Sequence, residues 1–221
     1  MWEPVLLSLR IAFIATLFSA VLGTLFAYGI NKTNIPGKNI WETIITLPMI
    51  LPPSVTGYYL LLLLGKRGFI GRFIIEVFDF KIIFTWVAAV IAACIVSLPL
   101  MYQNVKAAFI STNPIYENAA KTLGSGKFKV FRTITIPLAM PGIISGIVLS
   151  FCRAIGEFGA TLMVAGNIPG KTQTMPTAIY YAVQNGDDKE ANLMVLLMTV
   201  LSFGLIFTLN VWLKKKNYSG K

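Results

Sequence analysis

Apolar residues run in five long stretches, over about residues 5–30, 41–64, 82–109, 138–165 and 192–213, separated by shorter polar or basic segments. A helix crosses a hydrocarbon core of about 30 Å with roughly 20 residues, so each stretch is long enough to span with some tilt. The pattern predicts an all-α integral membrane protein, a polytopic helical bundle of about five transmembrane helices. The stretch from Gly68 to Phe80 is apolar but short and carries Glu76 and Asp79. About 13 residues are too few to cross unaided, so it reads as an interfacial helix, with a sixth span as the alternative. The first stretch exceeds the apolar core of a cleavable signal and has no basic segment before it, so it reads as a retained span.

Composition narrows the chemistry. Of 221 residues, 56% are apolar and only 13% charged, about half the share of a soluble domain. There is no His, and both cysteines, Cys94 and Cys152, lie within apolar runs. Zinc sites, disulfide frameworks and His-based catalysis are therefore not expected. The net charge of +10 reads as a topology signal rather than a nucleic-acid footprint. If residues 106–132 face the cytoplasm, Lys32, Lys38, Lys106, Lys121, Lys127, Lys129, Arg132, Lys214, Lys215, Lys216 and Lys221 share that side. The other side holds Lys66, Arg67, Arg72, Lys81, Lys171 and Lys189, nearly balanced by acids. Positive residues concentrate inside, which places a multi-pass chain in the cell membrane with its N-terminus outside and its C-terminus cytoplasmic.

The second stretch contains Leu47-Pro48-Met49-Ile50-Leu51-Pro52-Pro53-Ser54, which removes three backbone donors from a helix in lipid. The freed carbonyls must face protein or a wet cavity, so Pro52, Pro53 and Ser54 are pathway candidates, with a packing kink as the plainer reading. Gly142 and Gly146, spaced for close helix contact, begin the fourth stretch.

Between the third and fourth stretches lies Asn113-Pro114-Ile115-Tyr116-Glu117-Asn118-Ala119-Ala120-Lys121-Thr122-Leu123-Gly124, a short helix with clear ends. Asn113 suits the N-cap, Pro114 the first turn, Glu117 the positive helix end, and Gly124 the stop. Ser125 can cap a second basic helix running through Phe131 and Ile134 to Pro137. A plain connection needs none of this, so a rigid elbow suggests a docking surface.

These residues resemble the loop by which permease subunits of ABC importers contact their ATPase. That loop reads Glu-Ala-Ala, three residues, Gly, nine residues, then Ile-x-Leu-Pro; here Ala119-Ala120 are followed at matching spacing by Gly124, Ile134, Ile136 and Pro137. Asn118 stands in the Glu place and Glu117 one residue earlier. A second stretch, Arg153-Ala154-Ile155-Gly156-Glu157-Phe158-Gly159-Ala160-Thr161 followed by Gly166 to Pro176, is similar to molybdate permease subunits, as are Leu51-Pro52-Pro53 and Gly65 to Gly71. Sulfate and tungstate permeases share parts of the pattern. The resemblance covers nearly the whole chain. It implies one permease domain over 1–221, with a cytoplasmic coupling helix in a loop at about 110–132 and an external loop at about 166–191. It implies ATPase coupling through Tyr116, Glu117, Asn118, Ala119, Ala120 and Gly124. It also implies a homodimer, two cytoplasmic ABC ATPase subunits carrying ATP and Mg, an external oxyanion-binding protein, and no cofactor bound by this chain.

Arg153 and Glu157 are four apart, which on a helix puts them on one face, where each alone would be costly in hydrocarbon. The two readings are a structural ion pair, or an anion route and gate. Gly156, Gly159 and Thr161 beside them are further gate candidates. Gly166 to Thr172 and Gly124 to Lys127 imitate phosphate-binding loops but lack the required spacing. Moving a dianion against an inside-negative potential costs roughly 4.6 kcal/mol per 100 mV. With Glu157 beside an arginine and no other acid at depth, a partner ATPase is a better energy source than ion coupling.

Overall fold

The structure is a computed structural model that describes residues 2–32 and 36–218; Lys221, one of the basic residues assigned to the cytoplasmic side, lies outside them. In chain order the helices are α1 (Trp2–Lys32), α2 (Lys38–Ile50), α3 (Pro53–Leu64), α4 (Phe69–Phe78), α5 (Trp86–Ser111) and α6 (Pro114–Thr122). They continue with α7 (Lys127–Val130), a π-helical turn (Phe131–Thr135), α8 (Ile136–Ile155), α9 (Gly159–Ala165), α10 (Met175–Gln184) and α11 (Asp188–Tyr218). Among the described residues, four helical stretches are long and apolar enough to cross a membrane: α1, α5, the continuous run from Lys127 to Ile155, and α11. The bent pair α2 and α3 makes a fifth when taken together.

The centre is α1, α5 and α8, joined through small residues. Ala12, Ala15, Ala88, Ala89, Ala92 and Ala93 are fully buried, which lets the α1 and α5 backbones approach closely. Gly142 and Gly146 do the same for α8: a methyl group on Gly142 would run into Ala108, and one on Gly146 would sit 2.8 Å from Met101 Sδ. Polar groups at depth find partners across helices. The Ser19 and Ser97 hydroxyls lie 2.8 Å apart, and Ser150 donates to the Ser97 carbonyl at 3.3 Å. Such pairing is how a bundle in lipid satisfies hydroxyls that water cannot reach.

Three expectations are corrected. The stretch 41–64 is two helices meeting at 116°. Its cause is local: Leu51 and Pro52 each precede a proline, which disfavours helical backbone, and both are extended, with ψ 141° and 137°. The stretch expected at 138–165 instead begins at Lys127 and ends at Ile155, with α9 a separate helix. Pro137 does not break it: it follows a π turn in which the Ile136 amide donates to the Phe131 carbonyl five residues back, and helical backbone continues through it. Finally, Gly126, not Ser125, occupies the N-cap of α7. The Ser125 amide instead donates to the Ala120 carbonyl and closes the end of α6.

The ten residues of α4 rise about 15 Å, half a hydrocarbon core, so this element does not span. It lies with the α3 C-terminus and the start of α5 at one end of the bundle. There the Phe84 amide donates to the Val164 carbonyl at 2.8 Å, and α10 is tied to α1 by the Met175 amide donating to Ser8 Oγ at 2.7 Å. The opposite end carries α6, the C-terminal part of α1 and the start of α2, where Lys106 Nζ pairs with Glu42 at 2.8 Å.

Candidate functional site

Two regions hold the residues singled out above. The first is the elbow. Asn113 Oδ1 accepts from the Ile115 amide at 3.0 Å, Pro114 opens the helix, and Gly124 closes it with φ 81°. The Gly124 amide donates to the Lys121 carbonyl at 2.9 Å and the Ser125 amide to Ala120 at 3.0 Å. This closure needs a left-handed residue, which is why a glycine stands there.

Glu117 and Asn118 part company in the structure. Glu117 is only 6% exposed and accepts from Thr135 Oγ1 at 2.9 Å, so it fastens the elbow to the π turn. Asn118 faces outward, as do Tyr116 and Ala119, while Ala120 is half-buried. Ile115, Ala119 and Leu123, spaced four apart, form one stripe away from the protein, with Leu123 86% exposed. Phe128 adds a further exposed ring across the turn. An apolar stripe rimmed by Lys121, Lys127 and Lys129 has the make-up of a protein-docking surface. Behind it, the Tyr28 ring packs on Phe131 at 4.2 Å and on Phe109 at 6.2 Å between centroids, bracing the base.

The second region is where two helix breaks meet. Gly159 lies so close to α3 that a methyl group there would be 3.0 Å from Pro53 Cβ and 3.4 Å from the Ser54 amide. One turn on, a Cβ at Gly57 would sit 2.8 Å from both Ala160 Cα and Met163 Cβ. Pro52, Pro53 and Ser54 are exposed, whereas Thr161 is fully buried. The chain turns at Gly156, which ends α8 and on which a Cβ would lie 3.3 Å from Met198 of α11. Glu157 follows it outside any helix.

The expectation that Arg153 and Glu157 share a helix face is therefore corrected, although the pair itself forms. Arg153 Nη1 lies 2.7 Å from Glu157 Oε2, with the glutamate side chain 1% exposed and the arginine 32%. Glu157 Oε1 also accepts from the Ala160 amide at 2.8 Å, so the carboxylate caps α9. The break between α8 and α9 is thus held by one buried acid with two partners. Sequence reasoning missed Gly57, whose contact with α9 is tertiary, and Phe158, whose ring meets Tyr180 of α10 at 5.3 Å. It also missed Arg10, which stacks over Trp86 at 4.1 Å. A basic residue in an apolar run was the available signal.

The capped elbow at one end of the bundle and the two facing helix breaks within it are the two built features of this fold. The chain belongs to the binding-protein-dependent transport system inner membrane component family, which matches residues 5–216. It is 46% identical to YvgM of Bacillus subtilis (strain 168), provisionally a molybdenum transport system permease protein, over 93% of this chain and 91% of that one. It is 41% identical to the molybdenum transport system permease protein ModB of Escherichia coli (strain K12), over 97% and 93%. The sulfate transport system permease protein CysT of Salmonella typhimurium (strain LT2) is 34% identical, over 92% and 73%. The fold is that of a bacterial ABC transporter importing alginate, with TM-score 0.75, 16% identity and coverage of 96% and 78%. The MetNI methionine ABC transporter is similar too, with TM-score 0.72, 15% identity and coverage of 96% and 94%.

Proposed function

We propose that the chain is the permease of an ABC importer that carries molybdate into the cytoplasm, as a homodimer with two cytoplasmic ATPase subunits and an external oxyanion-binding protein. The observation that carries the coupled mechanism is the elbow. Its apolar stripe faces outward while Glu117 locks it to the π turn leading into α8, so a displacement of a docked ATPase is delivered to the membrane helices. ATP and Mg belong to the partner, which supplies the work of moving a dianion inward. Identity of 41% and 46% to molybdenum permeases, against 34% to a sulfate permease, supports molybdate over sulfate.

In this reading the N-terminus and α4 are external and α6 is cytoplasmic. Closure of the ATPase pair draws the two elbows together and opens the external side; hydrolysis reverses it. The meeting of Pro53 and Gly159 is the hinge region, and the Arg153–Glu157 pair holds it in register. The test is ATP hydrolysis by the chain reconstituted with its ATPase, with binding protein loaded in turn with molybdate, tungstate or sulfate. Stimulation by the molybdate-loaded form is the expected result. Stimulation by sulfate alone would overturn the substrate, and none by any loaded form would overturn the coupled oxyanion importer.

A further inference from the structure

At the end of the bundle opposite the elbow, a cavity of about 360 Å³ opens between α3, α4 and the segment leading into α5. Its wall is Leu61, Leu64, Ile75, Ile82, Ile83 and Phe84, and Lys66 and Lys81 stand at it as the charged groups. The volume lies within the range of about 300–1,000 Å³ typical of small-molecule sites. The wall is held close: a methyl group on Gly68 would run into the Leu62 and Leu63 carbonyls, and one on Gly71 into those of Leu64 and Gly65. The short helix α4 is thereby pressed onto the end of α3.

The surroundings have the composition of a membrane boundary, aromatic and basic residues side by side. Phe69, Phe73 and Phe78 project from α4, with Phe69 87% exposed. Arg72 is neutralised by Glu76 at 2.7 Å, whose carboxylate pushes the guanidinium pKa upward. That leaves Lys66, Arg67 and Lys81 against Asp79, a local positive excess beside an apolar wall. Basic groups at the boundary attract anionic headgroups, while their stems lie along apolar surface.

We propose that this cavity binds an anionic phospholipid from the leaflet opposite the elbow, its phosphate held by Lys66 and Lys81 and an acyl chain laid along the apolar wall. The charge at the mouth and the apolar lining are each suited to one part of such a molecule. A second copy of this chain would have to present an acidic and an apolar surface together.

The test is native mass spectrometry of the permease–ATPase complex released from nanodiscs of phosphatidylglycerol and phosphatidylcholine. Wild type should retain phosphatidylglycerol preferentially. The double variant K66Q/K81Q should retain it roughly thirtyfold less, from two basic groups near an anionic headgroup, while K171Q/K189Q should match wild type. L61W, which fills the wall, should lose retained lipid of both kinds with the assembly intact. Equal retention in K66Q/K81Q and wild type, or equal losses in both lysine pairs, would overturn the proposal. So would dissociation of the permease copies by L61W without any lipid retained in wild type, which would make the cavity a protein interface.

Discussion

The pair Arg153–Glu157 makes an asymmetric prediction. Glu157 is 1% exposed and Arg153 32%, so removing one partner is not equivalent to removing the other. R153Q strands a buried carboxylate, for which breaking a buried pair costs about 3–5 kcal/mol. E157Q strands a guanidinium that protein does not enclose, and its amide carbonyl can still accept from Ala160, which leaves the loss of one hydrogen-bonded contact, about 1–2 kcal/mol. At roughly 2–4 °C per kcal/mol for a chain of this size, R153Q should lower the Tm by roughly 6–20 °C and E157Q by roughly 2–8 °C. The double variant R153Q/E157Q should be more stable than R153Q alone, since no charge is left buried. The assay is thermal unfolding of the permease–ATPase complex in nanodiscs at one scan rate, followed by tryptophan fluorescence. If E157Q were as harmful as R153Q, or if the two effects added within about 0.5 kcal/mol, the structural ion pair would be refuted.

Gly124→Val meets no neighbour but must adopt φ 81°, at about 1–2 kcal/mol, so α6 should fray and ATPase pull-down weaken; undiminished pull-down and uptake would refute the elbow. Thr135→Val removes a hydrogen bond to a carboxylate, about 1.5–3 kcal/mol, and should speed amide exchange in α6, which hydrogen-exchange mass spectrometry reads directly. Gly57→Val overpacks the contact of α3 with α9 at about 1–3 kcal/mol and should lower the Tm by several degrees; an unchanged Tm would refute the close approach. Cysteines at Lys121 and Asp187 should be labelled from opposite sides of the membrane, K121C from the cytoplasm.

What the sequence discloses is mostly local. Asn113, Pro114 and Gly124 mark the ends of α6 through capping chemistry confined to a few residues, and the structure places the helix between them. The tandem prolines at 52 and 53 announce a break, but not its 116° angle. The run from Lys127 to Ile155 is harder to delimit, because Pro137 reads as a boundary unless the π turn before it is known. Likewise Gly156 ends α8 inside a stretch whose length reads as a single span. The bond from Thr135 to Glu117 and the approach of Gly57 to Ala160 join residues far apart in the chain, and no periodicity carries such information.

The π turn at Phe131–Thr135 also sets an azimuth. One residue beyond the α-helical count turns everything on its elbow side by about 100° about the helix axis, relative to the membrane side. Loss of a single residue there would leave α8 packed as it is and aim the elbow in a different direction. The heading of the docking surface is therefore set by the residue count of this one turn together with the two contacts that brace it, Tyr28 on Phe131 and Thr135 on Glu117.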